Sequence, residues 1–312
     1  MNPELGRNKQ PADYWMYGLK IRSDFQLPGW TEASGDGPPD VRFRRRHVPS
    51  SRPGGRPYTA HWEIGSEGFT LAIRGVAVYR AFATGNHVDV DTEPGATPQD
   101  VLLYLTGVLL GIILHFRRCY PLHAGCVAWG PNADGIAVAG PSGAGKSTLL
   151  ASLLDRGGIL VTDDVTVLER DGNAFRARPG ARRLRLDAPS LEAVERPPGD
   201  VLGLESGGGN RGKYQVPVEG TPPSSTVIKR VYVLQDDQGP VRTEPLFGME
   251  AVSALVDQTY VLAYASSLGM GKQCFTLAAE VAGHVPVARL IRPPGFQHLP
   301  AVVDLIIAES GA

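Results

Sequence analysis

Apolar and polar positions alternate over short stretches in the first third of the chain, at 17–21, 58–64, 69–73, 76–82 and 87–90, separated by Gly, Asn and Ser. Runs of this period and length predict strands, so residues 14–90 read as a small β-rich lobe. Within it, 28–57 is dense in Pro, Gly and Ser and carries Arg42, Arg44, Arg45 and Arg46, which predicts an exposed loop around one edge strand. Those arginines are candidates for contact with an acidic substrate peptide, against the plainer reading of a solvated charge run. The pattern changes at residue 98. The run VLLYLTGVLLGIIL at 101–114 lies between Asp100 and His115, short of the roughly 20 residues that span a bilayer. A buried helix over 98–117 is expected, and no membrane partner.

Two β-like runs follow at 122–129 and 135–139, joined by the turn 130–134 (GPNAD), and predict a hairpin or adjacent strands. After them come a glycine-rich segment, an apolar helix over 147–155 and a strand over 159–162, the β-loop-α-β order of an α/β unit with a right-handed crossover. Farther on the pattern gives strands near 165–169 and 174–178, a helix over 188–195 and a Pro/Gly/Ser-rich loop over 197–224. A strand over 227–234, a helix over 248–264 and a strand-then-helix over 286–309 close the chain. The expected division is a β-rich lobe over 1–97 and a catalytic domain over 98–312.

The glycine-rich segment carries the chemistry. Gly140-Pro141-Ser142-Gly143-Ala144-Gly145-Lys146-Ser147 matches the phosphate-loop pattern and sits after an apolar strand and before an apolar helix. Its glycines let successive backbone N–H groups face phosphate oxygens while the helix that follows, starting with Thr148 in its first turn, points its positive end at the same anion. Lys146 is assigned to the β- and γ-phosphates of ATP and Ser147 to Mg²⁺, a hard cation that takes oxygen donors. Asp163-Asp164 ends the strand 159–162. If that strand pairs parallel beside 136–139, both carboxylates lie next to the loop, one as a base toward an incoming hydroxyl and the other, Asp164, as a Mg²⁺ ligand. His123, at the start of the strand before the loop, is a candidate neighbour of these carboxylates. Arg211 and Lys213, in the Gly-rich stretch, are candidates to fold over the nucleotide, with Arg230 as a further one.

Composition narrows the partners. The chain has 312 residues, 42% of them hydrophobic, and a net charge of −1 from 31 basic and 32 acidic residues. That is enough apolar material for a sizeable core and no global field for nucleic acid. Cys119, Cys126 and Cys274 lack metal-ligand spacing and suit a reducing compartment. The first residues lack the apolar core of a secretory signal, so a cytoplasmic location is expected.

The run from Leu122 to Glu169, with its His-containing strand, hairpin, phosphate loop, short helix and Asp-Asp pair, resembles the catalytic core of the HPr kinase/phosphorylase family. Asp163 follows Lys146 by 17 positions, a spacing similar to that family's. The resemblance implies an α/β fold with an HPr-kinase-like core, a mixed sheet flanked by helices, beside the β-rich lobe. It implies Asp163 as the base that activates an acceptor serine, Asp164 as its partner, His123 nearby, ATP and Mg²⁺ as cofactors, and homo-oligomers as an arrangement. Thr148 stands where the family usually has Glu. The whole layout is similar to stand-alone members that phosphorylate lasso-peptide precursors, so the expected partner is a peptide or small protein bearing an acceptor serine. An HPr-type carrier protein kinase/phosphorylase, a transport-type NTPase suggested by the segment 204–210, a nucleotide sensor without chemistry and a small-molecule kinase are the alternatives.

Overall fold

The computed structural model describes residues 10–49, 59–196, 212–310 and the backbone of 204–205, and the chain divides into two units after Arg118. The first unit is a sheet of eight strands in the order β3-β1-β2-β4-β8-β7-β6-β5. They are β1 Ala12–Met16, β2 Leu19–Ser23, β3 Thr31–Glu32, β4 Val41–Arg45, β5 Ala60–Gly65, β6 Gly68–Ile73, β7 Ala77–Phe82 and β8 His87–Thr92. Alternation is clear in β4, where Val41 and Phe43 are buried and Arg42 is exposed, as a half-buried strand requires. Contrary to expectation β4 is no edge strand: it lies inside the sheet, parallel to both β2 and β8. Its arginines are partly consumed there, since Arg44 pairs with Asp89 at 2.5 Å and Arg45 lies over the Phe25 ring.

The apolar run after β8 forms one long helix in three segments, α1 Pro98–Tyr104, a π-helical stretch Leu105–Leu109 and α2 Leu110–Phe116. Thr97 caps it by accepting from the Asp100 amide. The expected domain boundary at 97/98 therefore moves to 118/119: the helix belongs to the first unit, where the Tyr79 hydroxyl donates to the Val101 carbonyl at 3.0 Å. By length and composition alone this 19-residue helix could cross a membrane, and half of its most apolar window is buried in the unit.

The second unit is built on a nine-stranded mixed sheet. Its elements in chain order are β9 Tyr120–Leu122, β10 Ala124–Trp129, β11 Asp134–Ala139, α3 Lys146–Asp155, β12 Ile159–Thr162, β13 Thr166–Asp171, β14 Ala174–Ala177, β15 Arg183–Asp187, α4 Ala188–Ala193, β16 Leu204–Glu205, β17 Lys213–Pro217, β18 Thr226–Asp236, β19 Arg242–Leu246, α5 Gly248–Asp257, α6 Leu262–Ser267, α7 Gly271–Ala282, β20 Val287–Arg292 and α8 Leu299–Glu309. β15, β17 and β16 form a separate three-stranded sheet. Strands β10 and β11 are buried along almost their whole length, because both faces of the large sheet are covered. Ile136 and Val138 pack with Leu149, Leu150 and Leu153 of α3 and Val302 and Ile306 of α8. Ala137 and Ala139 face the opposite way, toward Ala251 and Leu255 of α5 and Ala278 and Val281 of α7.

The single helix expected over 248–264 is broken. After α5 the backbone leaves the helix so that Gln258 O accepts from His123 N at 2.7 Å, Thr259 bridges Leu122, and Tyr260 N donates to Pro121 O at 2.9 Å. Pairing with the β9–β10 junction replaces helical bonds, and Val261 takes a left-handed φ of 51°, a strained conformation for a β-branched residue.

Candidate nucleotide and phosphotransfer site

Strand direction gathers the candidate residues at one edge of the large sheet. β11, β18 and β20 run parallel, so Ala139, Asp236 and Arg292 end at the same edge. β10 is antiparallel to β11, which places its first residue, Ala124, opposite Ala139. β12 pairs antiparallel with β10. It therefore does not pair beside β11 as expected; β10 lies between them, yet the two strands point the same way and Asp163 emerges at the loop edge.

The loop backbone is set by its glycines. Gly143 and Gly145 have φ of 84° and 81°, values that any other residue adopts only with strain. Because α3 begins at Lys146, the amides of Lys146, Ser147 and Thr148 have no carbonyl of their own helix to reach, and they add to the helix dipole as anion-seeking groups. Lys146 is buried, and its ammonium donates to the carbonyls of Gly140 at 2.6 Å and Pro141 at 3.1 Å. Burial draws its pKa down to about 8, with Asp164 and Asp163 pulling upward and Lys213 pushing further down. Gly125 serves the site through its size, because a Cβ there would sit 2.1 Å from Leu150 Cδ1 and 2.6 Å from the Asp163 carbonyl. Only a glycine lets α3 and the aspartate pair close on β10.

The two aspartates occupy contrasting environments. Asp163 is buried, and its Oδ2 accepts from the Arg185 amide at 2.8 Å. Its Oδ1 is buried with no hydrogen-bond partner. Burial, then the charge of Asp164, pushes its pKa up to about 6, while the nearby Ser147 hydroxyl and Arg185 pull back. On Asp164 burial also acts upward, but the His123 hydrogen bond and the charges of Arg185, His123 and Lys146 together outweigh it and hold the carboxyl well below the usual range. Its Oδ1 lies 3.4 Å from His123 Nε2 and its Oδ2 is 2.9 Å from Arg185 Nη1. Tyr260 stands edge-on to the His123 ring, centroids 6.0 Å apart, and burial followed by the Asp164 charge keeps its phenol protonated far above the ordinary range.

Lys146, Ser147, Asp163, Asp164 and His123 thus come together, and Lys213, in β17, lies close enough to act on the Lys146 charge. Three candidates have partners within the fold. The Thr148 hydroxyl donates to Ser190 of α4 at 2.9 Å, which ties α3 to α4. Asp164, expected on Mg²⁺, pairs with His123 and Arg185, and the Ser147 hydroxyl lies near Asp163. Arg230 pairs with Glu309 at the end of α8. Arg211 lies outside the described residues. Arg185, Tyr260 and Arg292 are the site residues that sequence reasoning missed. Arg185 had a signal, since buried Leu184 and Leu186 alternate with it in the period of a strand. Arg292 ends the apolar run 287–292 and reaches across to donate to the Ala144 carbonyl in the loop.

The donor set fits Mg²⁺ bound with a polyphosphate. Among the described residues no three His, Cys, Asp or Glu side chains cluster as a metal cage. Mg²⁺ is ordinarily held by one or two protein oxygens together with phosphates and water, and the Ser147 hydroxyl in the first turn of α3 is one such oxygen.

A glycine-rich loop between a buried strand and a helix, faced by an aspartate pair, is the candidate site of a mixed α/β unit. No protein-family model matches the chain, and no curated protein matches it. Among solved structures it is similar to the HPr(Ser) kinase/phosphatase from Coxiella burnetii, with 14% identity and a TM-score of 0.33 over 61% of this chain and 95% of that one. A likeness of that size leaves the function to be argued from the site.

Proposed function

We propose that the chain is an ATP-dependent kinase that transfers the γ-phosphate to a serine hydroxyl of a peptide or small protein. The observation that carries this reading is the buried, unpaired Oδ1 of Asp163 behind Ser147 at the mouth of the phosphate loop. A carboxylate whose pKa lies near 6 is ionised at neutral pH yet basic enough to take a proton from an incoming hydroxyl. The loop amides and Lys146 bind the β- and γ-phosphates. Bound Mg²⁺, held by Ser147 and the phosphate oxygens, would neutralise charge on the transferring group. The serine oxygen forms its bond to the γ-phosphorus as the bond to the β–γ bridging oxygen breaks. Asp163 receives the hydroxyl proton, and ADP leaves with the bridging electron pair. Asp164, fixed between His123 and Arg185, keeps its negative charge and with it the basicity of Asp163.

For the acceptor we infer a ribosomally made precursor peptide of lasso type, on the resemblance of the 122–169 run and the two-part layout. Incubation with MgATP and serine-bearing precursor peptides, followed by mass spectrometry, is expected to show one added phosphate on serine, lost in Asp163→Asn. Vigorous ATP hydrolysis with no modified acceptor in any peptide tested would instead favour the transport-type NTPase.

A further inference from the structure

Resting on the nucleotide site proposed above, we infer that Phe296 is the platform on which the nucleobase stacks. β20 ends at Arg292 on the loop edge, where the guanidinium donates to the Ala144 carbonyl and lies 3.8 Å from Asp236 at the end of β18. The chain then turns through Pro293, Pro294 and Gly295, whose φ is 110°, into the short 3-10 turn Phe296–His298 and α8.

The direction of α8 fixes which edge this turn occupies. Its last residue, Glu309, is tied to Arg230 and to the Tyr232 hydroxyl in the middle of β18, four residues or more short of the end of that strand at Asp236. Midway, Asp304 pairs with Arg156 just past the end of α3 at 2.9 Å. Both helices therefore run back from the loop edge and pack together, Leu149 and Leu153 of α3 in one cluster with Val302, Val303 and Ile306 of α8.

On that turn Phe296 is 46% exposed, which leaves apolar ring surface in water that stacking against a base would bury. It follows the arginine that touches the loop by four positions, a reach of up to about 13 Å, which is the order of the distance from a nucleotide's phosphates to its base. Gln297 and His298, side chains 3.3 Å apart, lie next to the ring and carry donors and acceptors for a base edge. The other strongly exposed aromatic rings of this unit, Phe247 and Phe275, sit at α5 and α7 on the opposite face of the sheet.

The test separates base from phosphate. Calorimetric titration of the full chain with MgATP, MgGTP and magnesium tripolyphosphate is compared between wild type and Phe296→Ala. Because Phe296 is exposed, its removal leaves the fold intact, which thermal unfolding checks. Base stacking on an aromatic ring contributes roughly 1–3 kcal/mol, so Phe296→Ala is expected to weaken MgATP and MgGTP by about fivefold or more while tripolyphosphate affinity stays unchanged. Phe296→Tyr is expected to bind all three as wild type does. Unchanged MgATP affinity in Phe296→Ala overturns the inference, as does an equal loss for MgATP and tripolyphosphate. A wild-type chain that binds none of the three overturns the nucleotide site itself.

Discussion

Replacing Asp163 by Asn separates what the site needs from what the fold prefers. Folding takes this carboxyl from an ordinary value of 3.8 to about 6, through burial first and the Asp164 charge second. By proton linkage, a group whose pKa rises on folding favours the native state while protonated in both states, and that contribution disappears as pH climbs through the folded pKa. At pH 5 and above the unfolded chain ionises Asp163 readily, whereas the folded chain does so only near 6. Above about pH 7 the native state therefore carries a fixed penalty, with a ceiling of about 3 kcal/mol at 1.36 kcal/mol per tenfold. Asn removes the charge while keeping an oxygen for the Arg185 amide, although it still leaves a polar group buried, so the gain falls below that ceiling. Hydrogen exchange of β12 and α3 in metal-free buffer reads the stability of the second unit on its own. Asp163→Asn is expected to be more stable than wild type at pH 8, by about 1–3 kcal/mol, with the difference closing below about pH 4. The same variant is expected to lose about 10²- to 10⁴-fold in phosphotransfer. A difference that does not depend on pH, or a variant less stable at pH 8, would refute the claim that this charge is held against the preference of the fold.

Three further outcomes follow from the geometry. Lys146→Ala removes the ammonium at the loop and is expected to weaken MgATP binding by roughly tenfold to a hundredfold, measured by calorimetry. The kcat/KM profile is expected to be bell-shaped: it rises as Asp163 loses its proton near 6 and falls as Lys146 loses its proton near 8, and loss of the acid limb in Asp163→Glu or its persistence in Asp163→Asn would contradict the assignment. Gly125→Ala puts a methyl 2.6 Å from the Asp163 carbonyl and is expected to destabilise the second unit by roughly 1–3 kcal/mol, read by the same hydrogen exchange.

The glycine-rich loop is legible in the sequence because its residues match a set spacing, and backbone geometry demands the glycines at 143 and 145. The aspartate pair is legible for a related reason, since the apolar run 159–162 can only be a strand and the pair must leave its end. Partner strands are another matter. Nothing in residues 159–162 says that β10 intervenes before β11, because strand order depends on packing across the sheet and not on local pattern. The placement of β4 failed similarly: its arginines suggested an edge, yet Val41 and Phe43 bury one face while Asp89 of β8 meets Arg44 on the other. Arg185 was within reach of period-two reading, since Leu184 and Leu186 flank it, yet no element was expected between the strand near 174–178 and the helix over 188–195.

Tyr260 marks the limit of local reading, and it shows what the site imposes. The residues of 248–264 favour one continuous helix, and a continuous helix would leave the His123 amide and the Pro121 carbonyl without the bonds that Gln258 and Tyr260 supply. Two buried polar groups left unpaired cost more, at about 1–3 kcal/mol each, than the left-handed turn at Val261, at about 1–3 kcal/mol in total. The balance therefore breaks the helix after α5, and the break sets the Tyr260 ring against His123, which in turn meets Asp164. Strain at Val261 and the order of the aspartate pair are on this account one feature: the helix yields so that the carboxylate beside the loop has a fixed partner.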